Sequence, residues 1–215
     1  MSVQKEVNYT ATNTYHIQNR LTENTKNIWM VFHGMGYLSK YFINYFSDLN
    51  EAENFIIAPQ APSKYYQDKT FKHVGASWLT RENTQEEIQN VLRYIDAVYK
   101  AEVGEGSLGK QLIVLGFSQG VSIAARWVAS RQISCDKMIL HSGGIPNELQ
   151  PADFEFLNKE TSVIYLYGNN DQYVTEARET EERLRASQLF QNRLEVRVFE
   201  GKHEMNRNFL REIAQ

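Results

Sequence analysis

The 215-residue chain has a formal net charge of −3 with scattered lysine and arginine, which argues against nucleic acid as a partner. With 42% hydrophobic residues it can bury a core without disulfides, and its one cysteine, Cys135, excludes an intramolecular disulfide. No apolar run is long enough to span a bilayer, and residues 1–6 lack the apolar core of a signal peptide. We therefore expect residues 1–215 to form a single domain of a cytoplasmic protein without a membrane span.

The amino-terminal residues alternate apolar and polar side chains. Residues 7–11 and 15–17 follow this pattern on either side of Thr12, Asn13 and Thr14, which favour a turn. The alternation predicts an N-terminal antiparallel hairpin that covers one edge of a sheet.

Short apolar runs predict six further strands, at residues 28–32, 55–58, 112–115, 137–140, 162–167 and 194–199. The intervening patterns predict helices over residues 41–49, 84 to about 104, 121–129 and 175–189, and after 203. Thr84 and Glu87 have the spacing of a capping box, and the helix that they open is predicted to end near Gly104, Glu105 and Gly106. Alternating strands and helices predict an α/β fold with a mostly parallel central sheet and helices on both faces.

The longest irregular stretch, residues 63–81, is rich in aromatic side chains, among them Tyr65, Tyr66 and Trp78. Unstructured loops of this length are usually functional, so these side chains are candidates for one wall of a substrate pocket. Packing in the core is an equally good interpretation of the same residues.

The segment Gly116-Phe117-Ser118-Gln119-Gly120 lies between a predicted strand and a predicted helix. The pattern Gly-x-Ser-x-Gly suits a sharp turn in which side chains two positions from the serine would collide. Such a turn exposes the hydroxyl of Ser118 at the carboxyl edge of the sheet. The pattern therefore indicates a nucleophilic serine.

A serine nucleophile requires a base, and the base requires an acid that fixes its tautomer. In this kind of fold these groups follow the serine in the order acid then histidine, each after a strand. His203 follows the last predicted strand and is the better candidate base. Asp171 directly follows the strand that ends at Tyr167, and Glu200, which also lies beyond a strand end, is the alternative acid.

Attack on a carbonyl also requires donors for the developing oxyanion. The N–H of Gln119 would lie at a helix start, where backbone donors are unpaired. The second candidate is the N–H of Met35 within His33-Gly34-Met35-Gly36, although these glycines are equally typical of an ordinary strand-to-helix turn. His33 is interpreted as a residue that braces this loop through a hydrogen bond.

Four segments together resemble the acyl-protein thioesterase, carboxylesterase and lysophospholipase branch of the α/β-hydrolase superfamily: 33–36, 58–62, 116–120, and 168–174 followed by His203. The resemblance implies the triad Ser118, Asp171 and His203 and an oxyanion hole at Met35 and Gln119. It further implies hydrolysis of carboxylic esters or thioesters without a cofactor or metal, and Trp78 resembles a tryptophan near the family's active-site entrance. Tyr37, Leu79, Thr80, Val121 and Lys202 depart from residues that are common in the family.

We therefore expect a serine hydrolase that acts on small-molecule acyl esters or thioesters. Three alternatives remain open at this point: a peptidase with the same triad, a carbon–carbon bond hydrolase with that triad, and a binding protein on a hydrolase scaffold. Acyl chain length, ester or thioester preference and oligomeric state do not follow from the sequence.

Overall fold

The computed structural model describes residues 1–104 and 108–215. The sequence predicts that the second helix ends near residues 104–106. Glu105 and Gly106 lie outside the described residues, and the described helix ends at Glu102. Within the described residues, seven strands form one sheet: β1 (Tyr15–Gln18), β2 (Asn27–Phe32), β3 (Asn54–Pro59), β6 (Gln111–Phe117), β7 (Lys137–His141), β8 (Ser162–Gly168) and β9 (Leu194–Phe199). Their spatial order is β1-β3-β2-β6-β7-β8-β9.

The strands from β3 to β9 in this spatial order are parallel, and only β1 runs antiparallel to its neighbour β3. All six residues of β2 are buried, as are the last six of β6, because helices cover both faces of the sheet. Parallel pairing brings the carboxyl ends of β6, β7, β8 and β9 to one edge. The loops that carry Ser118, Asp171 and His203 leave the sheet there.

Helices cover the sheet on both sides: α1 (Ser39–Phe42), α2 (Thr84–Glu102), α3 (Gln119–Arg131), α4 (Glu176–Phe190) and α5 (Arg207–Ile213). Alternate residues of each strand enter different cores. Ile28 and Met30 join the core with α2, α3 and α4, whereas Trp29 and Val31 join the core with α1 and α5. The predicted α/β-hydrolase architecture, with a mostly parallel sheet between two helical layers, is confirmed.

The predicted N-terminal hairpin is wrong. Residues 1–14 form no strand, and β1 pairs with β3 in the register Tyr15↔Pro59 to Gln18↔Ile56. The apolar residues of the alternating segment 7–11 are not buried, since Val7 and Tyr9 are 85% and 84% exposed. A period of two predicts a strand only where one face becomes buried.

Three local predictions also differ from the structure. The irregular stretch contains an antiparallel hairpin of β4 (Ser63–Tyr66) and β5 (Val74–Ser77). The helix predicted over 41–49 is replaced by the short α1 and a 3-10 turn at Ile43–Phe46. Thr84 is the first residue of α2 rather than its cap. The cap position belongs to Asn83, which has φ +47° and makes no side-chain capping bond.

Among the residues that the structure describes, no helix combines the length and the apolar character that crossing a membrane requires.

Candidate active site

The turn between β6 and α3 holds Ser118 in a strained conformation, with φ +54° and ψ −119°. Its N–H donates to His141 O over 2.9 Å, which ties the turn to the end of β7. A β-carbon on Gly116 would collide with Gly120 O, and one on Gly120 would collide with Phe32 O. The glycines of the Gly-x-Ser-x-Gly pattern are thus required by close backbone packing around a positive-φ serine, as the sequence predicted for such a turn.

The structure brings Ser118, Asp171 and His203 into one hydrogen-bonded line. His203 Nε2 lies 2.9 Å from Ser118 Oγ, and His203 Nδ1 lies 2.7 Å from Asp171 Oδ2. A carboxylate accepts only, so Nδ1 carries the ring proton and Nε2 is free to accept the serine proton. This is the arrangement that general-base activation of a hydroxyl requires.

Asp171 rather than Glu200 is the carboxylate that reaches the histidine. Its side chain has no exposed surface, whereas Glu200 is exposed to solvent. The second oxygen, Oδ1, accepts the backbone N–H of Tyr173 over 2.9 Å. Both oxygens of the buried carboxylate therefore have donors, and their geometry is fixed.

Backbone hydrogen bonds hold the loops of Asp171 and His203 together. Asn169 N–H donates to Phe199 O, and Asn170 N–H donates to Gly201 O, both over 2.9 Å. The His203 ring lies between two aromatic rings, with centroids 5.0 Å from Phe117 and 4.7 Å from Tyr173. These contacts restrict the imidazole to the plane in which both of its nitrogens have partners.

The two backbone donors predicted for an oxyanion hole border the same cavity as Ser118. The N–H groups of Met35 and Gln119 have no acceptor within the described residues, although the adjacent N–H of Gly36 donates to Ala76 O over 2.8 Å. A β-carbon on Gly34 would lie 3.1 Å from Ser118 Cβ, so the backbone before Met35 passes close to the serine. Two unpaired backbone donors thus border the cavity into which Ser118 opens, and they remain the candidates for an oxyanion site.

The hairpin β4–β5 and the residues after it brace both donor segments. Gln67 Nε2 donates to Gly36 O over 2.7 Å, next to Met35. The side chain of Gln119 accepts Trp78 N–H and donates to Leu79 O, each over 2.8 Å. One element of the fold therefore positions the backbone on both sides of the serine.

A cavity of about 430 Å³ opens at Ser118. Its walls include Met35, Tyr37, Tyr173 and Arg178, together with the loop that follows β7. The aromatic residues predicted for the pocket wall lie elsewhere. Trp78 is fully buried and donates its indole N–H to His33 O, while Tyr65 and Tyr66 are exposed on β4, outside this lining.

Two further histidines near the site are buried and neutral. His33 accepts Ala61 N–H at Nε2 and donates from Nδ1 to Gly34 O, so it braces the loop as the sequence suggested. His141 accepts Asn206 N–H at Nε2. Burial lowers the pKa of His33 from 6.5 to about 4 and that of His141 to about 3, and each ring needs an unprotonated nitrogen as an acceptor.

These two histidines are expected to make stability depend on pH. The unfolded chain binds protons near pH 6.5, whereas the folded protein keeps both rings neutral to about pH 4 and 3. Their stabilisation is complete above pH 6.5 and is lost as pH falls, because the unfolded state then binds more protons. The free energy of unfolding should fall by up to about 1.4 kcal/mol per pH unit for each histidine between pH 6 and 5.

Urea unfolding at closely spaced pH values measures this slope. The His33→Gln variant should show a smaller slope of the unfolding free energy against pH, because the amide does not titrate. This holds whatever the substitution does to absolute stability. An unchanged slope in His33→Gln would show that His33 is not held neutral.

Among the described residues, no group of three or more histidine, cysteine, aspartate or glutamate side chains is arranged to hold a metal ion.

A family model described as phospholipase/carboxylesterase matches residues 13–215. The chain belongs to the phospholipase/carboxylesterase family. Membership indicates a hydrolase of the esterase type, and the matched region includes every side chain of the candidate site. No curated protein sequence matches this family member.

Solved structures similar to this family member agree with the fold. They include acyl-protein thioesterase 2 of Zea mays (15% identity, TM-score 0.69, 94% of this chain and 96% of that one) and a phospholipase/carboxylesterase of Dyadobacter fermentans (20%, 0.68, 97% and 99%). A carboxylesterase of Bacillus cereus is similar as well (14%, 0.64, 95% and 92%). At these identities the likeness establishes the α/β-hydrolase fold alone.

Sequence reasoning missed several contributors to the site of this family member. The bond from Tyr173 N–H to Asp171 could have been anticipated, because aspartate in a turn often accepts the N–H two residues on. The side chain of Gln119 and the position of Arg178 had no comparable signal. Both depend on how distant segments pack against the turn.

Proposed function

We propose that the protein is a serine hydrolase that cleaves carboxylic esters or thioesters through an acyl-enzyme on Ser118. The observation that supports this most directly is the continuous hydrogen-bonded line from Asp171 through His203 to the Ser118 hydroxyl. Family membership and the three named neighbours, a thioesterase, a phospholipase/carboxylesterase and a carboxylesterase, favour acyl transfer to water over other uses of this arrangement.

In the first step, Ser118 Oγ attacks the acyl carbonyl while His203 Nε2 takes the hydroxyl proton. The N–H groups of Met35 and Gln119 stabilise the negative charge on the carbonyl oxygen. When the tetrahedral intermediate collapses, the bond to the alcohol or thiol breaks and His203 gives its proton to that leaving group. Asp171 stays ionised and stabilises the imidazolium.

In the second step, water replaces the leaving group. His203 takes a proton from water, the hydroxide oxygen attacks the acyl carbonyl, and the ester bond to Ser118 breaks. The proton returns to Ser118 Oγ and the carboxylic acid departs. The protein side chains and one water molecule account for every proton in this cycle, so the reaction requires no cofactor or metal.

Two measurements on the purified protein test the proposal. A fluorophosphonate, which reacts covalently with activated serines, should label Ser118, as peptide mass analysis would show. Hydrolysis of a series of acyl esters should be faster than hydrolysis of the matching aminoacyl amides. A folded, unlabelled protein that cleaves no ester would instead support a binding protein, and faster cleavage of the amides would support a peptidase.

A further inference from the structure

The cavity at Ser118 has a positively charged side chain in its wall. Among the described residues that line the cavity, Arg178 is the one arginine, and the lining includes no lysine, aspartate or glutamate. The other lining residues are glycine, serine, aromatic or neutral polar residues, or Met35. A substrate portion that carries a negative charge therefore has one cationic partner inside this cavity.

Arg178 is held in position by the backbone rather than by a carboxylate. Its Nη1 donates to Tyr173 O over 3.1 Å, and within the described residues no carboxylate oxygen lies within 4.0 Å of its guanidinium. Its neighbour on α4, Arg183, differs because its guanidinium pairs with Glu179 at 3.1 Å. Arg178 thus keeps guanidinium donors available for an incoming anion.

The absence of a side chain at Gly144 gives the guanidinium its space. A β-carbon at Gly144 would lie 3.2 Å from Arg178 Nη2 and 2.8 Å from Glu182 Oε1. The Arg178 side chain therefore lies over the loop that follows β7, next to a second groove of about 590 Å³. Arg178 and Gly144 border both spaces.

The nearby carboxylates do not neutralise Arg178 through a direct pair. Glu182 Oε2 accepts Ile145 N–H over 2.9 Å; burial raises the pKa of Glu182, and the nearby charge of Arg178 acts in the opposite direction. Glu179 accepts from Tyr167 and Arg183. Asp171 accepts from His203 and Tyr173. Glu181 and Glu182 border the second groove but not the cavity at Ser118.

The contacts of Arg178 indicate which part of the substrate it would approach, the acyl portion or the leaving group. His203 protonates the leaving group, so the departing oxygen or sulfur lies at Nε2. Tyr173 packs against the His203 ring, and Arg178 donates to the carbonyl of that same Tyr173. Arg178 therefore lies on the His203 side of the cavity, where the alcohol or thiol departs.

We propose that Arg178 makes this enzyme selective for esters or thioesters whose leaving alcohol or thiol carries a carboxylate. The inference rests on the proposed function and specifies its substrate class. Arg178 binds the anionic group through charge-assisted hydrogen bonds and takes no part in the transfer, in which the acyl–oxygen or acyl–sulfur bond breaks and His203 protonates the leaving atom. The second groove accommodates the remainder of the leaving group.

Three acyl esters of similar size test this selectivity: butyl acetate, which is neutral, γ-acetoxybutyrate, with a carboxylate on the leaving alcohol, and monobutyl succinate, with a carboxylate on the acyl portion. Arg178→Gln should lower kcat/KM for γ-acetoxybutyrate about tenfold and change the other two less than about twofold. Added salt should lower the activity of the unmodified enzyme on γ-acetoxybutyrate, and this salt dependence should disappear in Arg178→Gln.

Arg183→Gln is the matched control, because it removes the same charge from the same helix at a residue outside the cavity lining. Equal losses on all three esters in Arg178→Gln, a loss confined to monobutyl succinate, or the same selectivity change in Arg183→Gln would overturn the proposal. Failure of the proposed function is distinguishable, since the unmodified protein would then hydrolyse none of the esters and Ser118 would not react with a fluorophosphonate.

Discussion

Replacing Ser118 with alanine is expected to abolish ester hydrolysis and leave the fold intact. The hydroxyl is the atom that would form the acyl-enzyme, and no neighbouring group replaces it at His203 Nε2, 2.9 Å away. The loss of that hydrogen bond should cost about 1 kcal/mol of stability at most, because the backbone bond from residue 118 to His141 O remains. Turnover of a model ester and thermal unfolding measure the two effects.

Ser130→Ala provides the matched control, since Ser130 is exposed near the far end of α3. It should retain full activity. Substantial turnover by folded Ser118→Ala, or an equal loss in Ser130→Ala, would refute the assignment of Ser118 as nucleophile.

Replacing Asp171 with asparagine should lower kcat about 10⁴-fold while ester binding persists. Both carboxylate oxygens accept an N–H, one from His203 and one from Tyr173, whereas an amide has a single oxygen. The Tyr173 N–H is a fixed donor, so the amide oxygen should face it and the NH₂ group should face His203. The imidazole then accepts at Nδ1 and carries its proton at Nε2, where it cannot take the serine proton.

The exposed Asp153 supplies the control, because Asp153→Asn makes the same chemical change away from the site. Glu200→Gln tests the alternative acid in the same assay. If Glu200→Gln lost activity on this scale and Asp171→Asn did not, the assignment of the acid would have to be reversed.

The order and burial of the strands were predictable because their signal is strong and local. Runs such as Ile28 to Phe32 are apolar throughout, and only a strand covered on both faces uses such a run efficiently. The segment of Val7 and Tyr9 carries a weaker signal, since alternation also occurs in exposed extended chain. Whether this segment pairs as a strand depends on whether another part of the protein buries one of its faces, and the local sequence does not determine that.

The positions of the candidate triad followed from topology rather than from the residues alone. Parallel strands deliver their carboxyl ends to one edge, so the residues after β6, β8 and β9 meet whatever their distance along the chain. Trp78 is the counterexample. Its burial depends on His33 O accepting the indole N–H, a contact between segments 45 residues apart in sequence. No local pattern distinguishes such a tryptophan from one that lines a pocket.

The contacts of Gly36 and Gln119 with the β4–β5 hairpin and the residues after it divide this hairpin into two regions for protein engineering. Residues 68–72, at its tip, make no hydrogen bond to either donor segment, so we expect foreign loop sequences there to leave the candidate site unchanged. Gln67, Ala76 and Trp78 make the hydrogen bonds to Gly36 and Gln119, so a replacement at these three positions would affect the two candidate donor segments. We therefore expect an exchange of the whole hairpin to disturb both candidate donor segments, and an exchange of its tip to change only the outer surface.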